Sequence, residues 1–165
     1  MRLLSLLFAL TLFSGCGWHL RGVMPLPPEY QVLYLQSQAS ASINQQLKLQ
    51  LEFNGALLTE RAEDAPAILK VDPVSIERRT LSVSSSGQVA EYELNGRLTA
   101  TLINTGHDSE IPLELKARRI LTNDENNVTG TASAEKLQRT EIERELVRKL
   151  LRRLQALDNN NEAGQ

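Results

Sequence analysis

The chain has 165 residues, a formal net charge of −2, 41% hydrophobic and 4% aromatic residues, one cysteine and two histidines. A lone cysteine excludes an internal disulfide, and the nearly balanced charge gives no global signal for nucleic acid. Two histidines and no second thiol leave too few donors for a structural metal site.

The N-terminus reads MRLLSLLFALTLFSGCGWHLRG. Leu3 to Phe13 is apolar, Arg2 precedes it, and the small residues Ser14 and Gly15 follow. This is the layout of an export signal, too short for a bilayer span, which takes about 20 residues. LFSGC is similar to the bacterial lipobox, with Phe13 where a Leu is usual. On that reading residues 1–15 are a lipoprotein signal peptide, and Cys16 becomes the first mature residue and carries the acyl groups. The sulfur is then consumed, which suits an oxidising compartment. An ordinary secretory signal with an incidental thiol is the alternative. Gly17, in place of an Asp, points to the outer membrane.

Residues 16–30 hold Pro25, Pro27 and Pro28, which forbid a regular helix and favour an extended tether. Trp18 within it rests at the lipid interface, on a partner or on its own domain. Residues 31–158 are expected to form one α+β domain, and 159–165 a disordered tail. QVLYLQ, 31–36, reads as a first strand. Ile43, Leu47, Leu51 and Asn54 recur at helical spacing. Ser40 or Ser42 is placed to cap the start and Gly55 to end it, giving a helix over 42–54. Residues 67–83 read as one strand interrupted at Pro73, where the alternation shifts phase as at a bulge or an edge.

SSSGQ, 84–88, is a turn. Beyond it Tyr92, Leu94, Gly96, Leu98, Ala100 and Leu102 share one face, while Glu91, Glu93, Asn95, Arg97, Thr99 and Thr101 share the other. Ile111, Leu113, Leu115 and Ala117 form the buried row of a last strand. Arg119 falls in the same row, so the buried character is expected to end there. After a polar loop over 122–133, Ile142, Leu146, Leu150, Leu154 and Leu157 mark a long helix capped by Ser133. The expected architecture is a two-layer sandwich of order β-α-β-β-β-α. A four-stranded sheet carries two helices on one face, and its polar back face is open to solvent or another protein.

The chain offers no nucleophile elbow, no Gly-rich phosphate loop and no histidine in a catalytic constellation. It reads as a non-enzyme without a cofactor or metal. Glu91 and Glu93 read as solubilising surface acids. The arginine doublets Arg78-Arg79 and Arg118-Arg119, with Lys136 at the start of the final helix, suit recognition of a phosphorylated amphiphile, because the guanidinium is a rigid donor fork. Ordinary solvated surface charge is the competing reading.

CGWHLRG at 16–22, SGQVAEYEL at 86–94, LVRKL at 146–150 and the element order together resemble the LPS-assembly lipoprotein LptE family. The resemblance implies a lipid-anchored outer-membrane protein on the periplasmic side, seated in the lumen of an LptD-like β-barrel as a one-to-one plug. It further implies support of barrel assembly, lipopolysaccharide binding and assistance to its delivery to the outer leaflet. The loop Ser84, Ser85, Ser86, Gly87 and Gln88 is then partner-facing or near the ligand path. Relatives carry a basic residue at this tip; here it reads Ser84-Ser85-Ser86. A free lipid-binding or scaffolding envelope lipoprotein without a barrel partner is the alternative.

Overall fold

In the computed structural model the described residues are 25–106, 109–124 and 126–157. The expected signal peptide, Cys16, Trp18, both histidines and the tail 159–165 lie outside them. Strand β1 is Val32–Ser37, helix α1 Ala41–Phe53, β2 Leu57–Leu58, β3 Ala67–Val71, β4 Ser75–Val83, β5 Val89–Asn104, β6 Ser109–Thr122 and helix α2 Val128–Gln155. A single 3-10 turn at Pro28–Tyr30 precedes β1, and Leu26 and Tyr30 are buried in the core.

The sheet has six strands and is mixed, which corrects the expected four. Two features account for the difference. β2 is only two residues long and exists through its parallel pairing with β1, Val32 opposite Leu57 and Leu33 opposite Leu58. Its sequence carries no alternation to read. The stretch 67–83 splits at Pro73 into β3 and β4. β6 occupies one edge of β5 from Glu91 to Asn104, so β3 and β4 follow one another along the other edge. Between them the register slips by one residue, with Val71 opposite Ala100 but Ser75 opposite Arg97. The proline thus sits in a bulge, where its missing N–H costs no ladder bond. β1 and β3 run parallel because α1 carries the chain from one to the next.

Ser40 caps α1, its hydroxyl accepting from Ile43 N at 3.4 Å. At the other end Gly55, with φ of 83°, reverses the chain. Its N–H donates to Glu52 O at 3.0 Å, and Ala56 N donates to Leu51 O at 2.9 Å. These paired bonds close orphan helix carbonyls as a left-handed C-terminal residue does. Helix α2 starts five residues before the expected cap. Asn127 caps it, accepting from Gly130 N at 2.9 Å, and Ser133 lies inside it, donating to Thr129 O at 3.0 Å. The first turns carry no helical signal in the sequence, because Thr129, Gly130, Thr131 and Ser133 are weak helix formers with no apolar stripe.

The core lies between the helices and one sheet face. Ile43, Leu47 and Leu51 of α1 meet Leu33, Leu69, Leu98 and Leu102 of the sheet and Ile142, Leu146, Leu150 and Leu154 of α2. Full burial of each such leucine contributes about 1.5–3 kcal/mol. Leu49 and Phe53 face outward from α1. α2 crosses β5 over Gly96, where an added Cβ would collide with Ile142 Cγ2. The buried row of β6 does not end at Arg119. Leu121 beyond it is buried, and Arg119 stays in the row because Glu145 of α2 meets it at 2.5 Å.

Candidate functional site

The site is built on three neighbouring strands. Leu94 of β5 stands opposite Arg78 of β4 on one side and Arg119 of β6 on the other. The two doublets therefore lie level across β5. Successive strand residues point to opposite faces. Each doublet consequently divides, with one arginine on the helix side and one on the open back.

On the helix side, Arg78 stacks 4.5 Å above the Tyr92 ring and pairs with Glu135 of α2 at 2.8 Å. Arg139 meets the same carboxylate at 2.8 Å and donates to Ile76 O at 3.1 Å. Arg119 shares Glu145 with Lys149, which lies 2.9 Å away and also donates to Lys116 O at 2.6 Å. These groups bolt α2 to the sheet. Burial acts to raise the Glu135 carboxyl, but hydrogen bonds from Arg139 and Arg78 outweigh it and hold the group below the ordinary carboxylate value. Glu145 is held low in the same way, first by Lys149 and against burial.

On the open face, Arg79 and Arg118 both direct Nε to Glu93, one to each carboxylate oxygen. Glu93 is buried, which overturns its reading as a surface acid, while the two arginine side chains are 69% and 57% exposed. The hydrogen bond from Arg79 leads in holding the Glu93 carboxyl low, against desolvation. One register step away, Arg97 and Lys116 share Glu114 at 3.0 and 3.2 Å. Arg79, Arg118, Arg97 and Lys116 line a cavity of about 580 Å³ together with one acid, Glu77, while Arg78 and Lys149 reach it from the helix side. Its volume falls in the range of small-molecule clefts, roughly 300–1,000 Å³.

Arg79 and Arg118 are the expected members of this cluster, and Arg97, Lys116 and Glu93 are the unexpected ones. All three belong to the polar rows, and only strand register brings them together. Lys136 is not part of the site. It lies two turns into α2, exposed, and makes no ion pair among the described residues. The Ser84–Gln88 turn stands at the far end of the β4–β5 hairpin. Ser84 N donates to Gln88 O at 2.7 Å, Gly87 N to Ser84 O at 2.9 Å, and Gly87 has φ of 80°. Among the described residues no group of three or more His, Cys, Asp or Glu is placed to hold a metal ion.

The mixed sheet, with its helices on one face and basic side chains on the other, is an α+β scaffold that presents an open charged surface. The family model described as LptE, lipopolysaccharide-assembly, matches residues 30–154. A relative from Yersinia enterocolitica, the LPS-assembly lipoprotein LptE, is 33% identical, with 91% of this chain and 76% of that protein covered. The solution structure of lipoprotein B from Nitrosomonas europaea is similar at 28% identity and a TM-score of 0.71, covering 87% of this chain and 94% of that one. Rare lipoprotein B from Shewanella oneidensis shares the fold at 23% identity and the same TM-score, covering 79% and 98%. The chain belongs to the LptE family of outer-membrane lipoproteins, non-catalytic proteins of lipopolysaccharide assembly.

Proposed function

We propose that this protein, anchored through an acylated Cys16, plugs an LptD-like β-barrel one-to-one from the periplasmic side. It supports assembly of that barrel, binds lipopolysaccharide and assists its delivery to the outer leaflet. The observation that carries this reading is the family match, which runs from Tyr30 to Leu154 and so takes in the sheet and nearly all of both helices. The exposed loop Ser84–Gln88 and the open basic face supply surfaces for a barrel wall and an anionic ligand.

The reading is tested by isolating the chain from detergent-solubilised outer membrane and weighing the complex intact. The expected mass is one copy of this chain, starting at Cys16 and acylated, with one large β-barrel. A lipidated chain recovered without a barrel supports a free envelope lipoprotein instead. A chain without acyl mass refutes the anchor.

A further inference from the structure

Among the described residues four carboxylates each sit between two cations: Glu93, Glu114, Glu135 and Glu145. At Glu135 and Glu145 one partner of each pair also donates to a backbone carbonyl and ties α2 down. At Glu93 and Glu114 no helix is involved. The surplus positive charge there faces the cavity on the open side of the sheet.

We propose that Arg79 and Arg118, preorganised by Glu93 and flanked by Arg97 and Lys116, form a cradle for a phosphate group on the saccharide headgroup of lipopolysaccharide. This rests on the reading of the chain as a lipopolysaccharide-binding protein. It assigns the ligand role of the doublets to one member of each and a structural role to the other, Arg78 and Arg119.

Glu93 is buried, and a buried carboxylate needs a cationic partner; here it has two, from strands on either side of β5. Each arginine spends its Nε on Glu93. The Nη ends of both guanidiniums remain on side chains that are more than half exposed. A guanidinium fixed at Nε has lost much of the freedom that binding would otherwise remove. Its free donors match phosphate oxygens in a planar fork, and such charge-assisted bonds are about twice as strong as neutral ones. Charge complementarity selects the occupant. Arg79, Arg118, Arg97 and Lys116 outnumber the three acids beside them, Glu77, Glu93 and Glu114, by one charge, so this face favours an anionic group. The cavity accommodates a phosphorylated sugar ring rather than a bare ion.

Removing both arginines alone would strand the Glu93 charge, so the test variant is Arg79→Ala, Arg118→Ala, Glu93→Gln. Arg152→Ala, on the exposed side of α2, changes the net charge equally and serves as control. Binding of the mature, detergent-solubilised chain to purified lipopolysaccharide is measured at fixed salt, because attraction to anions is screened. A parallel series uses the same lipopolysaccharide after enzymatic dephosphorylation. Circular dichroism establishes that each variant is folded. The expected result is tenfold or greater weakening in the triple variant, less than twofold in the control, and no difference between parent and triple variant on the dephosphorylated ligand. A triple variant that binds like the parent overturns the cradle and leaves lipopolysaccharide binding intact. Equal weakening on both ligands overturns phosphate as the recognised group. Unchanged ligand binding with loss of the co-isolated barrel reassigns this face to the barrel wall. A parent that binds neither ligand overturns the cradle and the lipopolysaccharide reading together.

Discussion

Arg118 and Arg119 are neighbours in the chain, yet the first pairs with Glu93 on the open face of the sheet and the second with Glu145 on the helix behind it. Alternation along β6 makes this separation unavoidable, and it sets different consequences for the two residues. Arg119→Ala leaves Glu145 with Lys149 alone and loosens α2 on β6. The expected cost is about 1 kcal/mol, as for a partly buried charged hydrogen bond. Hydrogen exchange should quicken in the middle of α2 in this variant and stay at the parent rate there in Arg118→Ala. Equal exchange in both variants contradicts the assignment.

The carboxyls of Glu93, Glu135 and Glu145 are all held below the ordinary value of 4.5. The unfolded chain therefore binds protons that the folded chain does not, and stability rises with pH across the acid range. The contribution is complete above pH 4.5 and is lost as pH falls through the folded-state values. Melting temperature should be flat from about pH 6 to 7 and should drop below about pH 4.5. The double variant Arg78→Ala, Arg119→Ala should melt lower at neutral pH and show a shallower acid slope. An acid slope equal to that of the parent would show that these pairs do not set it.

Gly96 is demanded by packing and Gly55 by backbone conformation, and the two respond differently to substitution. Gly96→Ala drives a methyl into Ile142 and should cost about 1–3 kcal/mol, as overpacked cores do. Gly55→Ala meets open space but must hold φ near 83°, which costs roughly 1–2 kcal/mol for an L-residue. Gly55→Asn should recover part of that loss, because Asn tolerates this conformation, whereas Gly96→Asn should be worse than alanine. Urea midpoints of the four variants give the ranking.

β4 and β6 are edge strands of the sheet, and α2 reaches the outer edge of each. Asp72 N donates to Thr99 O at 3.0 Å, so odd-numbered β5 residues turn their backbone toward β3 and β4, and even-numbered ones toward β6. Ile76 stands opposite Gly96 and Lys116 opposite Arg97, so both carbonyls point outward. Arg139 covers the first and Lys149 the second. Pro112 stands opposite Thr101, so its missing N–H also falls on the outer edge of β6. Such edges invite strand addition unless blocked. Arg139→Ala with Lys149→Ala should lower stability by about 1–3 kcal/mol in total. It should also produce concentration-dependent association in sedimentation. A strictly monomeric double variant contradicts an edge-guarding role.

The rows of β5 were legible because strict alternation over more than ten residues admits no other reading, whereas the row of β6 was legible only from Ile111 to Ala117, because Arg119 hides its continuation to Leu121. α1 was legible from its spacing and its two end signals, Ser40 and Gly55. β2 was not, since a two-residue strand has no period and forms only through its neighbour. The division at Pro73 was visible as a phase shift, but counting the strands required the partner edge of β5. At the site, residue types were readable and their grouping was not. Arg97, Lys116 and Glu93 are scattered along two strands, and Glu93 became a buried anchor only once register set Arg79 opposite it and Arg118 diagonal to it.

Lipopolysaccharide delivery through a barrel partner is the role proposed for this protein. Depleting it from the cells that make it, while following lipopolysaccharide exposed at the cell surface and the level of folded barrel, tests that claim most directly. Surface lipopolysaccharide should fall, the barrel should fail to mature, and re-expression of the intact chain should restore both. Depleted cells with undiminished surface lipopolysaccharide and a normally folded barrel would contradict it.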